Sequence, residues 1–296
     1  MREASSGKIT KHKSSQGVSM GQCIYCGNDA GLLRKFHKDC KSRYEAGQKK
    51  LTELALSAAK GSADLTTTRT AVDSIVAGSF IRPEELKTTL VNGFEVSVHQ
   101  ALEDGIITQD EEDALDKYKD YFRLTQNDLD TGGAFTKLVQ AGVLRDLMDG
   151  KIPKRINITG QIPFNLQKSE ELVWVFQDVK YYEVRSRTSY SGGYSGMSVR
   201  VAKGLYYRTG SFRGNPIVTS EATHAGTGIL GITTKHIYFA GGQKAFRVPY
   251  QKIVSFTPYS DGFGLQRDAQ TAKPQSFVVG DGWFVYNLVV NLSKLL

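Results

Sequence analysis

The chain has 296 residues, 40% of them hydrophobic and 23% charged, which is enough for two or three domains with cores of their own. No run approaches the roughly 18 apolar residues of a membrane-spanning helix. Its three cysteines share one short window, so no disulfide framework is expected and a reducing, cytoplasmic setting fits. The net charge of +8 hides a division: residues 1–50 hold 11 Lys/Arg against 4 Asp/Glu, residues 51–154 hold 11 against 18, and residues 155–296 hold 16 against 8. Basic ends around an acidic middle favour association with anionic surfaces or among the molecule's own parts.

Residues 1–20 are rich in Ser, Lys and Gly, too polar to offset the cost of ordering, and read as a disordered basic tail with no apolar run that could serve as a signal peptide. The run CIYCGNDAGLLRKFHKDC then places Cys23, Cys26, His37 and Cys40 at zinc-ligand spacing. A C-x2-C pair aims two thiolates at one point, and His37-x2-Cys40 supplies the other half of a tetrahedral Cys3His site. Soft thiolates with one imidazole suit Zn²⁺, and four protein ligands leave no open position, so the expected ion is structural. A redox C-x2-C normally sits at a strand-to-helix junction, which nothing around Cys23 indicates. Arg34, Lys35, Lys38, Lys41 and Arg43 crowd this 21–50 module, and Phe36 or Tyr44 could stack on a base, the mixture of a backbone-tracking nucleic-acid surface. The opposing reading makes Leu32, Leu33 and Phe36 a small core and the cations mere solvated groups.

Residues 51–153 read as an acidic helical domain. Helical text starts at Lys41, and Leu51, Leu54, Ala55, Ala58 and Ala59 form one apolar stripe, so a helix grows from the fourth ligand into the next domain. Pro83 followed by Glu84 and Glu85 marks a second start. Thr108 with Glu111 forms a capping box ahead of an apolar face of Ala114, Leu115, Tyr118, Tyr121 and Phe122. A further helix is expected from Asn127 or Asp128 to Gly150, with Pro153 at its exit. The run EDGIITQDEED imitates the end of a calcium loop, but the first and third ligand positions would be Gln100 and Leu102, leaving too few oxygens for a hard cation. Its DG-I-x-x-x-E-E pattern resembles helix junctions of tellurite-resistance B-like bundles.

Residues 154–296 switch to strands. VWVFQDVKYYEVRSR, MSVRVAKGLYYRTGSF, GILGITTKHIYFAG, AFRVPYQKIVSF and QSFVVGD are β-branched and aromatic, separated by Gly, Ser, Asn or Pro. Trp283 to Leu296 then sets Phe284, Leu288, Leu292, Leu295 and Leu296 at helical intervals, a terminal helix able to cover the strands. This strand-then-helix order, with LQKSEELVWVF, the T-x-[KR]-x-[hydrophobic]-x-F run ending at Phe239, and the strand ending at Ile253 and Val254, resembles GRAM-type and bacterial pleckstrin-homology-like domains. The resemblance implies a β-barrel capped by a C-terminal helix and a binding module, for phosphoinositides in some members and proteins in many. It also implies a candidate anion grip at Lys180, Arg185 and Arg187.

The expected class is thus α+β multidomain: a zinc module, a helical bundle and a pleckstrin-homology-like barrel. No G-x-S-x-G, H-E-x-x-H or G-x-x-x-x-G-K-[ST] pattern is present, so no catalytic residue is assigned. Two functional expectations remain. One is a non-enzymatic adaptor that recruits a protein partner at an anionic membrane surface; the other is a nucleic-acid-binding protein acting through residues 1–50, with the barrel as a regulatory platform.

Overall fold

The computed structural model describes residues 21–31, 33–158, 160–183, 223–269 and 272–295 in full, and gives the strand path alone for residues 184 and 222 and for six short strands between them. The expected basic tail at 1–20, Leu32, Arg185, Arg187 and Leu296 lie outside the fully described residues.

Six helices come first: α1 (Lys38–Ala59), α2 (Leu65–Ser79), α3 (Pro83–Ala101), α4 (Gln109–Tyr121), α5 (Gln126–Leu129) and α6 (Ala134–Met148). The α1 stripe buries Leu51, Ala55, Ala58 and Ala59 as its spacing predicts. The helix begins earlier than Lys41, so Cys40 sits inside its first turn. Where α1 passes α3, a Cβ on Gly93 would stand 2.9 Å from that of Ala55, so the crossing needs glycine on one side and alanine on the other. Helix α2 has no strong sequence signal, because LTTTRTAVDSIV is rich in β-branched residues with low helix propensity. Packing decides instead: Val72 joins Leu51 and Ile81 in a small core, and the Asp64 carboxylate caps the first turn by accepting from the Thr67 N–H at 2.7 Å.

The capping box of α4 forms as predicted, with Thr108 Oγ1 accepting from Glu111 N at 3.2 Å and Glu111 Oε2 accepting from Thr108 N at 2.9 Å. The single helix expected over 127–150 is instead split. Gly133 at φ +74° ends the turn after α5 and starts α6, and the Asp130 carboxylate fastens the new helix by accepting from Thr136 N at 2.9 Å. The false calcium loop is a turn in which Gly105 takes φ +80° and Asp104 Oδ1 accepts from Ile106 N.

The second half forms a seven-stranded, wholly antiparallel sheet. Its strands are β1 (Leu172–Val184), β8 (Ala222–Thr233), β9 (His236–Gly241), β10 (Ala245–Pro249), β11 (Ile253–Pro258), β12 (Gly262–Arg267) and β13 (Gln275–Val278), in the order β10-β9-β8-β1-β13-β12-β11. In hydrogen-bonding terms the sheet is open. Its edges, β10 and β11, are chain neighbours joined by the 3-10 turn Tyr250–Lys252. Helix α7 (Gly282–Leu292) lays Phe284, Val285, Leu288, Val289 and Leu292 on an aromatic core that includes Tyr181, Phe239, Phe263 and Phe277.

The strands of this sheet are not all drawn from the runs that the sequence marked as β-rich. The run at 197–212 lies outside the main sheet, and GFGLQR, with no β-branched residue to announce it, supplies β12 instead. Between β1 and β8 the chain forms nested pairs, β2 (Thr188–Ser191) with β7 (Asn215–Val218), β3 (Tyr194–Ser195) with β6 (Ser211–Phe212), and β4 (Ser198–Ala202) with β5 (Leu205–Arg208). These are three separate two-stranded pairings.

Helix α6 serves both halves. Leu138 and Ala141 belong to the helical core, whereas Val143, Leu144 and Leu147 join the core of the sheet. Beside it runs a buried ion network: Glu112 of α4 accepts from both Arg145 of α6 and Arg155 of the connecting segment, and Arg155 also grips Asp146 at 2.5 and 2.9 Å. The side chain of Glu112 is 7% exposed, so its charge is tolerable only because two guanidiniums meet it.

Candidate metal centre

Short-range hydrogen bonds shape the loop that carries the first two cysteines. The Cys23 N–H donates to Asn28 O at 2.7 Å, and the Gly27 N–H donates to Cys23 O at 2.8 Å, with Gly27 at φ +74°. That tight turn brings Cys23 and Cys26 to one side. A bridge between Gln22 and Asp29 closes the loop, and the Ile24 N–H donates to Lys35 O at 3.0 Å, so the returning chain delivers His37 as N-cap of α1. Cys40 follows within the first helical turn.

The four ligand atoms lie within 4.8 Å of one another. His37 Nδ1 stands 3.4 Å from Cys26 Sγ and 3.6 Å from Cys40 Sγ. Tetrahedral bonds of about 2.3 Å to sulfur and about 2.05 Å to nitrogen would set such pairs about 3.6 Å apart. The donor set fits a metal ion of that size. The imidazole is oriented for it: Nε2 lies 2.9 Å from Asp29 O, so the Nε2–H donates to that carbonyl and Nδ1 keeps its lone pair for the centre. That carbonyl contact is also the main reason the His37 pKa is raised.

The sulfurs show the electrostatic problem that a cation would solve. Burial pushes the Cys23 thiol up, but N–H groups of Cys26, His37 and Tyr25 outweigh it and hold the pKa at about 6; the His37 N–H lies 3.4 Å from Cys23 Sγ. Burial pushes Cys40 up, and hydrogen bonding to Cys26 and Cys23 and their charge add to it, reaching about 11. Three thiolates this close repel one another, and a divalent ion removes that cost.

Around the cluster, Tyr25 packs on Tyr44 of α1 with ring centroids 4.9 Å apart and edge-on to Phe36 at 6.2 Å. The expected small core is therefore aromatic. Leu33, placed in it from sequence, is 97% exposed at φ 62°, and Ile24 is 69% exposed. Arg34, Lys35, Lys38 and Arg43 are exposed, whereas Lys41 is half-buried, paired with Glu45 at 3.5 Å and set over the Phe36 ring at 5.4 Å. Lys180 is exposed on β1; Arg185 and Arg187, the other two residues of the anion grip that the resemblance implies, lie outside the described residues.

A second cluster was missed in the sequence. Glu170, its side chain wholly buried, accepts from Thr233 Oγ1 at 2.5 Å, Tyr238 OH at 2.9 Å and Gln167 N at 2.8 Å, and meets His236 Nδ1 at 2.8 Å. Burial pushes the Glu170 carboxyl up, but these donors overcome it and hold it low. Residue types alone suggest a hydroxyl–imidazole–carboxylate relay. The geometry instead makes a latch: Thr233 Oγ1 also accepts from Lys235 N and His236 N, and the group fastens the segment before β1 to the β8–β9 turn. Thr233, His236 and Tyr238 lie more than 60 residues from Glu170, so no local pattern could reveal them.

No protein-family model matches the chain, and no curated protein matches it significantly. Among the described residues no helix is long and apolar enough to cross a membrane.

Proposed function

We propose that the chain is a non-enzymatic binding protein whose Cys3His centre holds a structural Zn²⁺ and whose sheet half is a pleckstrin-homology-like module, together recruiting a protein partner in the cytoplasm. The observation that carries this reading is the cluster of four converging protein ligands. With all four positions filled by side chains, a bound ion keeps none for water or substrate, which supports holding over catalysis. The pleckstrin-homology-like reading rests on the antiparallel order β10-β9-β8-β1-β13-β12-β11, two consecutive meanders meeting at β1 and β13 with α7 over the core.

A second reading is favoured by one specific feature. Ile24 and Leu33 are exposed large apolar residues beside the exposed Arg34 and Lys35, a combination suited to an unstacked base and its phosphate. Under this reading the module binds nucleic acid and the sheet half regulates it.

Elemental analysis of protein purified under reducing conditions tests the centre, with one zinc per chain expected. Affinity capture with intact protein and with Cys23→Ser then tests its use. Loss of the captured partner in the variant supports recruitment through the module; metal-free wild-type protein overturns the centre. Capture of nucleic acid that resists nuclease only with wild-type protein favours the second reading.

A further inference from the structure

The metal-centre module and the far end of α1 carry opposite surfaces. On the module, Leu33 is the most exposed large apolar side chain among the described residues, at 97%, and its φ of 62° lies in the left-handed region that favours glycine. The Ile24 N–H donates to Lys35 O, which sets the exposed Ile24 beside the same turn. Arg34, Lys35 and Lys38 are exposed and form no ion pair among the described residues. The turn is an apolar knob among unpaired cations.

At the other end of α1, an open cavity of about 500 Å³ lies between the α1–α2 turn and the start of α4. Ala58, Ala63, Leu65 and Ala114 give it an apolar floor, and Asp64, Asp110, Glu111 and Asp113 give it an acidic rim. Lys60 and Lys117 also line it, yet none of the four carboxylates is ion-paired among the described residues, and four acids against two lysines leave the cavity negative. Asp64 and Glu111 already cap α2 and α4, which leaves Asp110 and Asp113 as the carboxylates open to a cation. An adjoining cavity of about 340 Å³ shares Lys60 and Glu111 and is lined by Ser97, whose buried hydroxyl has no hydrogen-bond partner among the described residues. Buried polar groups are normally satisfied, so this end of the bundle is incomplete as it stands.

The two surfaces cannot meet within one molecule. The module rests on the first turns of α1, with His37 as N-cap and Tyr25 packed on Tyr44, whereas the cavity begins at Ala58. The 22 residues of α1 hold them about 33 Å apart, at 1.5 Å per residue. Their surroundings are complementary too, with an excess of seven positive charges over residues 1–50 and of seven negative charges over residues 51–154. We propose that the module docks into this cavity of a second copy of the chain, Leu33 covering the apolar floor while Arg34 and Lys35 meet Asp110 and Asp113. The inference rests on the reading of the module as a protein-docking element and names its partner as another copy. Knob and cavity are different surfaces, so the contact is heterologous: each added copy leaves a fresh knob at one end and a fresh cavity at the other, and association continues head to tail. One side chain in an open, polar-rimmed cavity makes a small interface, so the assembly depends on concentration and on salt.

Sedimentation velocity of the nuclease-treated full chain tests the assignment. Wild-type protein is expected to show species beyond the dimer that grow with concentration and recede as salt rises from about 0.05 to about 0.5 M. Leu33→Ser with Arg34→Gln removes the knob, and Asp110→Lys with Asp113→Lys reverses the rim; each pair should weaken association about tenfold or more. Mixed in equal amounts, the two variants should form a dimer and stop there, since one keeps the cavity and the other the knob. Val254→Ser, which removes an apolar side chain 62% exposed on β11, should change nothing. A self-limiting wild-type dimer, or a mixture of the two variants that stays monomeric, would overturn the proposal. Monomeric wild-type protein whose capture of another protein still depends on Cys23 would overturn self-association while leaving the docking role of the module intact.

Discussion

Gly142 shows how one missing side chain organises a buried charge. A Cβ there would stand 2.6 Å from Arg155 Nη1 and 2.9 Å from Glu112 Oε1. Alanine ordinarily gains about 1 kcal/mol over glycine inside a helix. Here that gain is smaller than the cost of pushing one guanidinium off a buried carboxylate, about 3–5 kcal/mol for a pair fully broken. Gly142→Ala should therefore destabilise by roughly 1–3 kcal/mol, after partial relaxation. Gly78, on an exposed part of α2 with nothing within 4 Å of its added Cβ, should behave oppositely, and Gly78→Ala should stabilise by about 0.4–1 kcal/mol. Urea midpoints for the two variants check the signs. The metal ligands were legible at this scale because Cys23, Cys26, His37 and Cys40 are close in sequence and chemically distinctive. Gly142, Glu112 and Glu170 were not, since their meaning lies in partners brought together by folding.

Among the elements, caps decide where helices begin, and one of them reports pH. Glu85 accepts from the Arg82 N–H at 2.9 Å, pairs with its guanidinium at 2.7 Å and takes the Tyr44 hydroxyl at 3.0 Å, tying α3 to α1 just beyond the metal centre. The Arg82 side chain foremost, then its N–H, hold the Glu85 carboxyl at about 2. A carboxyl depressed by folding gives stability that is complete above its ordinary value near 4.5 and drains away as pH falls toward 2. Glu85→Gln should thus lower the urea midpoint at pH 7 and make it less sensitive to acid between about pH 4.5 and pH 2, measured beside wild type. Pro83 and Thr108 announced α3 and α4 because caps are local chemistry. Helix α2 and strand β12 gave no such notice: the threonines of one and the glycines of the other have the wrong propensities, and contacts from α1 and β13 override them.

Across the whole molecule, the change of composition near residue 154 suggested separate domains, and the charge blocks supported that impression. Helix α6 complicates it, because successive turns of one rigid element supply Leu138 to the helical core and Leu147 to the sheet core. The Glu112–Arg145–Arg155 network crosses the same region, so the helical half cannot melt without stripping part of the sheet half's cover. Both tryptophans, Trp174 and Trp283, report on the sheet half, whereas α1 to α6 dominate the helical signal. Equilibrium unfolding followed by tryptophan fluorescence and by circular dichroism at the helix band should give coincident transitions in wild type. Leu147→Ala removes a fully buried side chain at the junction and should cost about 2–5 kcal/mol, moving both transitions together. Two well-separated transitions in wild type, or a shift confined to the fluorescence signal in the variant, would show that the halves fold independently and that α6 merely touches both.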